Sequence, residues 1–536
     1  MIAQFAKNVC MPLHTKVHRT EFEIDMTDKT YDVIVVGAGN AALCAALAAS
    51  ESGAKVLVLE KASVEERGGN STFTAGGFRF VHSGIDDVRK DVLVDLSPAE
   101  IEQIVLPPLP ATLFHEDLER VTEGQTDPML SDLLIGKSRE TMVWMRSHGV
   151  RFIPMFGRQS YKVEGKHHFY GGVNIEAVGG GWGLVDSLIR RVEKLGIEIR
   201  YATGLRSLLQ DQKGNVTGVR AFGPDGYEDI SARAVVLACG GFEANPRMRV
   251  AYLGAGWESC RVRGTRHNTG DGIQAALDIG AQAFGGWSSA HAVQWDISAP
   301  PFGDRVVLDN FQKHSYPLGI IVNMQGKRFV DEGADFRNHT YAKYGREVTK
   351  QPQRAAVQVF DDKTIGMVRD EYRIKQVTKF TANTLEELAE GLGIDVEGFV
   401  ATVKEYNAAC QAGQYNPAVL DGVTTKGIEP PKSNWALPID KAPYHGFVVT
   451  CGITFTFGGL RIDETGAVKD TTERTIPGLF AAGELVGGIF WGNYLGGAGL
   501  MSGSVFGRLS GGSAAKHAAG VQAKAAPVTK PSLAKA

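Results

Sequence analysis

A glycine-rich run at residues 37–42 is the first candidate for chemistry in this chain. Gly37 suits a tight turn, and Gly39 lets the backbone approach a pyrophosphate. Ala42 keeps the helix that follows close to its sheet. The N–H groups at the start of such a helix, Asn40 included, point at phosphate oxygens. The run therefore predicts a bound dinucleotide.

The flanking residues support this prediction. Glu60, followed by Lys61, comes about 20 residues after Gly39, the spacing at which a carboxylate in this fingerprint meets a ribose hydroxyl. Asp32–Val36 and Lys55–Leu59 are short β-branched runs, typical of buried parallel strands. A small-residue helix lies between them. Taken alone, this strand–turn–helix–strand unit fits NAD as well as FAD.

Later glycine-rich segments are candidates for the same cofactor. Residues 68–77 suit a loop that wraps a second phosphate and one edge of a flavin, although a plain surface turn is the alternative. Their place directly after the second strand favours the cofactor. The candidate cofactor residues beyond the fingerprint are Gly69, Asn70, Ser71, Gly76, Gly77, Asp271, Gly483, Glu484, Gly499 and Leu500.

The length of 536 residues predicts more than one domain. Alternating strands and helices predict an α/β fold with a Rossmann-like cofactor domain over 31–286 and 447–518. Between them, at 287–446, aromatics, prolines and isolated histidines indicate an inserted α+β domain. Residues 1–30, with Met26 as a natural initiator, and 519–536 are predicted to be a disordered extension and tail.

Charge and cysteine content narrow the functional classes. A net charge of −3 gives no basic field for nucleic acid, so no nucleic-acid partner is expected. The six cysteines include no C-x-x-C pair, which favours reduced thiols in a cytoplasm over disulfides, iron–sulfur clusters or zinc. No run of about 18 apolar residues is present, so no transmembrane segment is predicted.

The order of the motifs resembles that of one flavoprotein family. The motifs are the fingerprint with Glu60, the 68–77 loop, Ala238–Phe242, Thr269–Gly272, Gly478–Glu484 and Gly496–Leu500. Together they resemble the fumarate reductase/succinate dehydrogenase flavoproteins, a family that also holds 3-ketosteroid dehydrogenases. The resemblance covers residues 31–518 and implies an FAD-binding domain with an inserted capping domain that binds substrate.

The resemblance also implies the cofactor and the redox partner. It implies FAD, and the chain has one complete nucleotide fingerprint, so a second, nicotinamide-binding domain is not expected. Electrons must then leave through a separate acceptor, for which a membrane-bound redox protein is one candidate. Covalent members carry a histidine in the second phosphate loop. Ser71 and Thr72 occupy that region here, which predicts non-covalent FAD.

Arg337 is the proton carrier that the resemblance implies. The family uses an arginine shortly after an acidic pair that follows G-K-R-F. Arg337 lies five residues after Glu332, where the fumarate reductases have four. Arginine is a poor base at its ordinary pKa, so a dry pocket and a relay through Lys313, His314 or Asp335 would be needed. The alternative is that Arg337 only clamps a substrate carboxylate.

Further substrate contacts follow from the same resemblance. His291 aligns with a histidine that hydrogen-bonds a substrate carboxylate, although a purely structural role is equally open. Thr454 stands where fumarate reductases carry a histidine, and Thr456 completes that motif. Tyr494 stands where they carry an arginine, although its hydroxyl can still hold a carboxylate or carbonyl oxygen. Losing these two cations argues against fumarate or succinate as the substrate.

The capping-domain motifs suggest the substrate. The runs at 326–337 and 452–459 resemble those of the tricarballylate dehydrogenases in this family, which implies oxidation of tricarballylate to cis-aconitate. A ketosteroid-type dehydrogenase is an alternative because Tyr494 precedes G-G-A-G. A reductase of fumarate- or urocanate-like acids and a non-catalytic flavin electron-transfer subunit are two more.

Overall fold

The main sheet is built around the strand that precedes the fingerprint. The computed structural model describes residues 31–525. The predicted extension at 1–30 and the last part of the predicted tail, 526–536, lie outside the described residues.

The strands are β1 (Tyr31–Val36), β2 (Val56–Leu59), β3 (Gly77–Phe78), β4 (Ile104–Val105), β5 (Phe152–Pro154), β6 (Ser160–Val163), β7 (Lys166–Phe169), β8 (Ile175–Ala177), β9 (Glu198–Arg200), β10 (Gly204–Gln210), β11 (Val216–Gly223), β12 (Gly226–Leu237), β13 (Arg261–Val262), β14 (Ala283–Asp296), β15 (Ile320–Asn323), β16 (Ala356–Phe360), β17 (Lys379–Ala382), β18 (Tyr444–Leu460), β19 (Ala467–Lys469) and β20 (Thr475–Ala481).

The α-helices are α1 (Asn40–Glu51), α2 (Ile85–Val88), α3 (Pro98–Glu102), α4 (Ala111–Thr122), α5 (Pro128–Ser147), α6 (Phe156–Gln159), α7 (Gly180–Lys194), α8 (Pro246–Met248), α9 (Asp271–Leu277), α10 (Arg337–Thr349), α11 (Leu385–Leu392), α12 (Val396–Ala409) and α13 (Ala498–Ala525).

The main sheet is parallel at its centre. β1 lies between β2 and β12 and runs parallel to both. β9 extends the sheet beyond β2, and β20 runs parallel to the end of β12. The inner residues of β1, Val33 to Val35, are fully buried, which explains the apolar run. Such sheets bind ligands beyond the carboxyl ends of their strands, which is where α1 begins.

The two helices that carry glycine turns pack against each other at backbone distance. A Cβ at Gly507 of α13 would stand 2.3 Å from the carbonyl oxygen of Ala41, and one at Gly511 would stand 2.1 Å from that of Ala45. Asn40 donates its side-chain amide to the carbonyl oxygen of Leu500 at 2.8 Å. The first and last glycine turns are therefore adjacent in space, although most of the chain lies between them in sequence.

A second sheet covers the first. Its strands follow the order β13-β18-β16-β15, with β14 and β17 also paired to β18. β14 and β18 pair antiparallel from Ala283–Leu460 to Asp296–Val449. Both predicted domain junctions, 286/287 and 446/447, fall inside these two strands, so the chain crosses between the domains within paired strands. The division into cofactor and capping domains remains a proposal.

The glycine-rich segment 169–182 holds β8 and the start of α7, because glycines with positive φ at Gly179 and Gly180 turn the chain directly into the helix. One boundary prediction was wrong. The tail was predicted to begin at 519, but α13 continues to Ala525. Within residues 31–525, no helix combines the length and apolarity needed to cross a bilayer.

Candidate active site

A deep cavity joins the glycine turns to the second sheet. Its volume, counted to its open mouth, is about 1570 Å³. One end is lined by the fingerprint. The other is lined by four of the predicted substrate residues, Arg337, His291, Thr454 and Tyr494.

The fingerprint end fits a pyrophosphate. Gly37 has a φ of +106°, and a Cβ there would stand 2.6 Å from the carbonyl oxygen of Ala238, so the turn needs glycine. At Gly39 a Cβ would meet nothing closer than the Ser71 Oγ, 3.5 Å away, so the space in front of it is open. Asn40 donates the first N–H of α1 to the Ser71 Oγ at 3.0 Å. An open glycine turn at a helix N-terminus suits a phosphate.

Glu60 fits the ribose role. It is buried, and its two carboxylate oxygens accept the N–H groups of Ala38 and Ala62, both at 2.8 Å. Burial raises the pKa of this carboxyl. Each oxygen retains a second lone pair for a ribose hydroxyl. Lys61 and Asp271, also predicted to bind the cofactor, form an ion pair of 2.7 Å with each other near the solvent.

Most of the other predicted cofactor residues line the same cavity: Gly69, Asn70, Ser71, Gly77, Gly483, Glu484, Gly499 and Leu500. Three predicted site residues do not line it. Ala42 is buried inside α1. Gly76 packs against the start of α7, where its Cβ would stand 2.5 Å from the backbone of Gly180. Thr456 lies behind the wall and donates both its N–H, at 2.7 Å, and its hydroxyl to Glu484, so it positions a cofactor residue instead.

Arg337 is the first residue of α10, lines the cavity and forms no ion pair with any residue of the described chain. It donates to the carbonyl oxygen of Arg158 at 3.3 Å, and its Nη1 lies 3.4 Å from the His314 Nδ1. Its Nε is buried with no partner in the described chain. Burial, and then the nearby positive charge of Arg369, lower the pKa of Arg337 to about 10. The cavity therefore makes Arg337 easier to deprotonate than an ordinary arginine, although it stays mostly charged at neutral pH.

The three candidate relay residues differ in their position. Lys313 donates to backbone carbonyls of Phe311, Gln312 and Glu371 and lies 3.7 Å from Asp296. Asp335 pairs with Arg120 and, at 3.0 Å, with His339. His314 is the candidate in direct contact with Arg337. Burial, and then Arg337, hold its pKa well below the ordinary value, so the ring is neutral.

An aromatic wall holds the other predicted substrate residues. His291 stacks on Tyr494 with ring centres 4.4 Å apart and 12° between the planes. Burial holds the pKa of His291 well below its ordinary value, and its Nε2 has no partner in the described chain. The Tyr494 hydroxyl oxygen accepts the Gly499 N–H at 2.9 Å, which leaves its proton for a ligand. Tyr341 and Phe455 complete the wall.

Sequence reasoning missed two arginines at this end. Arg158 and Arg263 line the cavity, and both bind the buried carboxylate of Asp309, at 2.6 Å and 2.5 Å. Neither belongs to a recognised motif. The acids among the described lining residues are Glu60, Asp271 and Glu484, and none of them forms an ion pair with these arginines. Three guanidinium groups, with Arg337, therefore face the substrate end.

Known proteins are similar to this chain over most of its length. Residues 32–500 match the family model described as "FAD binding domain". A probable fumarate reductase of Shewanella frigidimarina is 30% identical over 503 residues, which cover 91% of this chain and 76% of that protein. The 3-oxosteroid 1-dehydrogenase of Mycobacterium tuberculosis is 27% identical over 557 residues, covering 89% and 96%. The open conformation of a flavocytochrome c3 fumarate reductase gives a TM-score of 0.67 at 28% identity, covering 92% of this chain and 79% of that one.

Proposed function

The chain belongs to the fumarate reductase/succinate dehydrogenase family of flavoproteins, and we propose that within it this protein oxidises a C–C single bond of a polycarboxylate, with tricarballylate to cis-aconitate as the leading reaction. FAD is the cofactor, and the reaction class is oxidoreduction at CH–CH groups. The observation that carries the proposal is the charge at the substrate end. Three guanidinium groups line it, and none of the acids among the described lining residues forms an ion pair with them.

The hydride and the proton removed in this oxidation go to different groups. FAD, when bound, supplies the hydride acceptor. The second hydrogen leaves the neighbouring carbon as a proton, and Arg337 is the group that receives it. Arg337 lines the cavity, forms no ion pair within residues 31–525, and has a pKa lowered to about 10. The neutral His314 ring, whose Nδ1 lies 3.4 Å from the Arg337 Nη1, accepts a hydrogen bond there and orients the guanidinium group.

Substrate orientation falls to the aromatic wall and its polar atoms. The His291 Nε2 is buried and unpartnered in the described chain, so a substrate carboxylate or hydroxyl would satisfy it. The Tyr494 hydroxyl proton and the Thr454 hydroxyl are further donors. The stacked rings also exclude water, which strengthens each charge interaction inside the cavity.

The competing functions fit less well. A neutral ketosteroid would leave Arg337 without an ion-pair partner among the described residues, and would leave the single carboxylate of Asp309 between Arg158 and Arg263, which is unfavourable in a largely buried site. A non-catalytic electron-transfer subunit would leave Arg337 and His291 without a task. Reduction of a fumarate- or urocanate-like acid remains the second candidate, since the same groups serve the reverse reaction and the Shewanella relative is named a probable fumarate reductase.

The FAD is proposed to be non-covalent, since Ser71 and Thr72 occupy the loop where covalent members carry a histidine. Electrons pass to a separate acceptor, with a membrane-bound redox protein as one candidate, and the protein works in the cytoplasm.

The test is anaerobic flavin bleaching by a small panel. Tricarballylate should bleach the flavin fastest, succinate more slowly, and a 3-ketosteroid not at all. Bleaching by the steroid alone would overturn the proposed function.

A further inference from the structure

Asp309 holds two guanidinium groups at the cavity wall. Arg158, on α6, donates from Nη1 to one carboxylate oxygen at 2.6 Å. Arg263, just after β13, donates from Nε to the other at 2.7 Å, and its Nη2 lies 2.5 Å from the same oxygen. Gln312 adds a third donor, at 2.7 Å. Because two nitrogens of Arg263 contact this carboxylate, the plane of its guanidinium group is fixed.

The carboxylate lies behind the wall and the cations lie in it. The side chain of Asp309 is 4% exposed, and Arg158 and Arg263 line the cavity. The Arg263 Nη1 is 3.4 Å from the Thr454 hydroxyl, which also lines it. Each arginine keeps N–H groups that Asp309 does not use, because a guanidinium has five donors.

The cluster keeps an excess of positive charge. One carboxylate in direct contact serves two guanidinium groups. Glu371 also lies near Arg158, but it is shared with Arg337 and Arg369, so four guanidinium groups face two carboxylates. Glu176 adds less negative charge at neutral pH, because burial raises its pKa to about 7. A ligand carboxylate at this wall would supply the missing charge.

We propose that Arg158 and Arg263, oriented by Asp309, form a carboxylate-binding subsite separate from Arg337, and that this subsite makes the enzyme selective for substrates with two or more carboxylates. This inference rests on the proposed function and adds how the substrate is chosen. It also accounts for Thr454 and Tyr494, which bring no charge to this wall. The cations come instead from other segments of the chain.

The test compares two unsaturated acids that oxidised holoenzyme binds but cannot oxidise further. Dissociation constants for cis-aconitate and for the monocarboxylate crotonate are measured by the change in flavin absorbance. The variants are Arg263→Gln and Arg158→Gln. The matched control is Arg346→Gln on α10, which removes an arginine that does not line the cavity.

Each subsite variant should weaken cis-aconitate binding about 10- to 100-fold, the usual effect of losing charge-assisted hydrogen bonds. Crotonate binding should change less than about threefold, and the control should change neither. If the variants weaken the binding of both acids equally, or of neither, the arginines only stabilise the fold and the proposed subsite is overturned.

Flavin content and thermal unfolding are recorded for each variant. If Arg263→Gln fails to retain FAD, the binding constants of Arg158→Gln test the subsite alone. The Arg158 side chain is more exposed than that of Arg263, 20% against 6%, so replacing it disturbs the fold less. Wild-type enzyme that binds no polycarboxylate would overturn the proposed function and the subsite together. Wild-type enzyme that prefers cis-aconitate, with variants that keep this preference, would overturn the subsite alone.

Discussion

Replacing Arg337 by lysine tests the proton step. The pKa of Arg337 falls from 12.5 to about 10, which corresponds to about 3 kcal/mol in favour of the neutral form. At pH 8 about 1% of the enzyme then carries a neutral Arg337, a few hundred times the fraction of an ordinary arginine. Lysine keeps a positive charge but lacks the planar fork.

The expected result is a loss of turnover with substrate binding retained. Arg337→Lys should reduce the rate of anaerobic flavin reduction by about 10²- to 10⁴-fold, while the dissociation constant of cis-aconitate changes less than about tenfold. Arg346→Lys, on the same helix but outside the cavity, should behave as wild type. A stopped-flow measurement at saturating tricarballylate separates the two quantities.

The pH dependence of the flavin reduction rate is a second test of the proton step. Because the acceptor is the neutral arginine and its folded pKa is about 10, the rate at saturating substrate should rise about tenfold per pH unit from pH 7 to 9. It should level off only near or above pH 10, since bound carboxylates favour the charged form. A rate that is flat over this range, with Arg337→Lys raising only KM, would refute the proton step and leave Arg337 as a clamp.

Three other predictions concern the cofactor and the aromatic wall. Gly39→Ala should fold normally, because its Cβ meets only an ordinary contact of 3.5 Å, yet lose FAD; Gly37→Ala should also lower the unfolding free energy by roughly 1–3 kcal/mol. Thermal unfolding and flavin content check both, and a yellow Gly39→Ala protein would contradict the pyrophosphate site. Acid precipitation should release all flavin into the supernatant, and pellet-bound flavin would contradict non-covalent attachment. His291→Gln should weaken cis-aconitate binding about three- to tenfold, and unchanged affinity would make His291 structural. The affinity of the wild-type enzyme should show no ionisation of His291 between pH 6 and 8, because the pKa of this histidine is held well below its ordinary value.

The cofactor end could be predicted from sequence because its signals are local. Gly37, Gly39 and Glu60 act through a turn, a helix start and a strand end that lie within about 25 residues, the scale of one βαβ unit. Gly76 and Thr456 were predicted to contact cofactor or substrate, but they lie one layer behind the cavity wall. Ala42 is buried inside α1, as its predicted helix–sheet packing role requires. Motif order identifies such residues without telling which way each one faces.

The substrate end could be predicted only where a motif survives. Arg337 was found because it follows G-K-R-F at nearly the family spacing. Arg158 and Arg263 carry no motif and come from two distant segments, and their partner Asp309 belongs to a third. Only the folded chain brings the three together. The long strands β14 and β18 were missed for another reason: glycines and histidines interrupt the alternation of apolar and polar residues that indicates a strand.

The central claim is that this site removes two hydrogens from adjacent carbons of a polycarboxylate. One anaerobic mixing of holoenzyme with excess tricarballylate, followed by product analysis by NMR and a proton count in weak buffer, tests it most directly. The account predicts one equivalent of cis-aconitate and one released proton for each FAD reduced. Flavin reduction without an alkene product, or no reduction by any polycarboxylate, would contradict it.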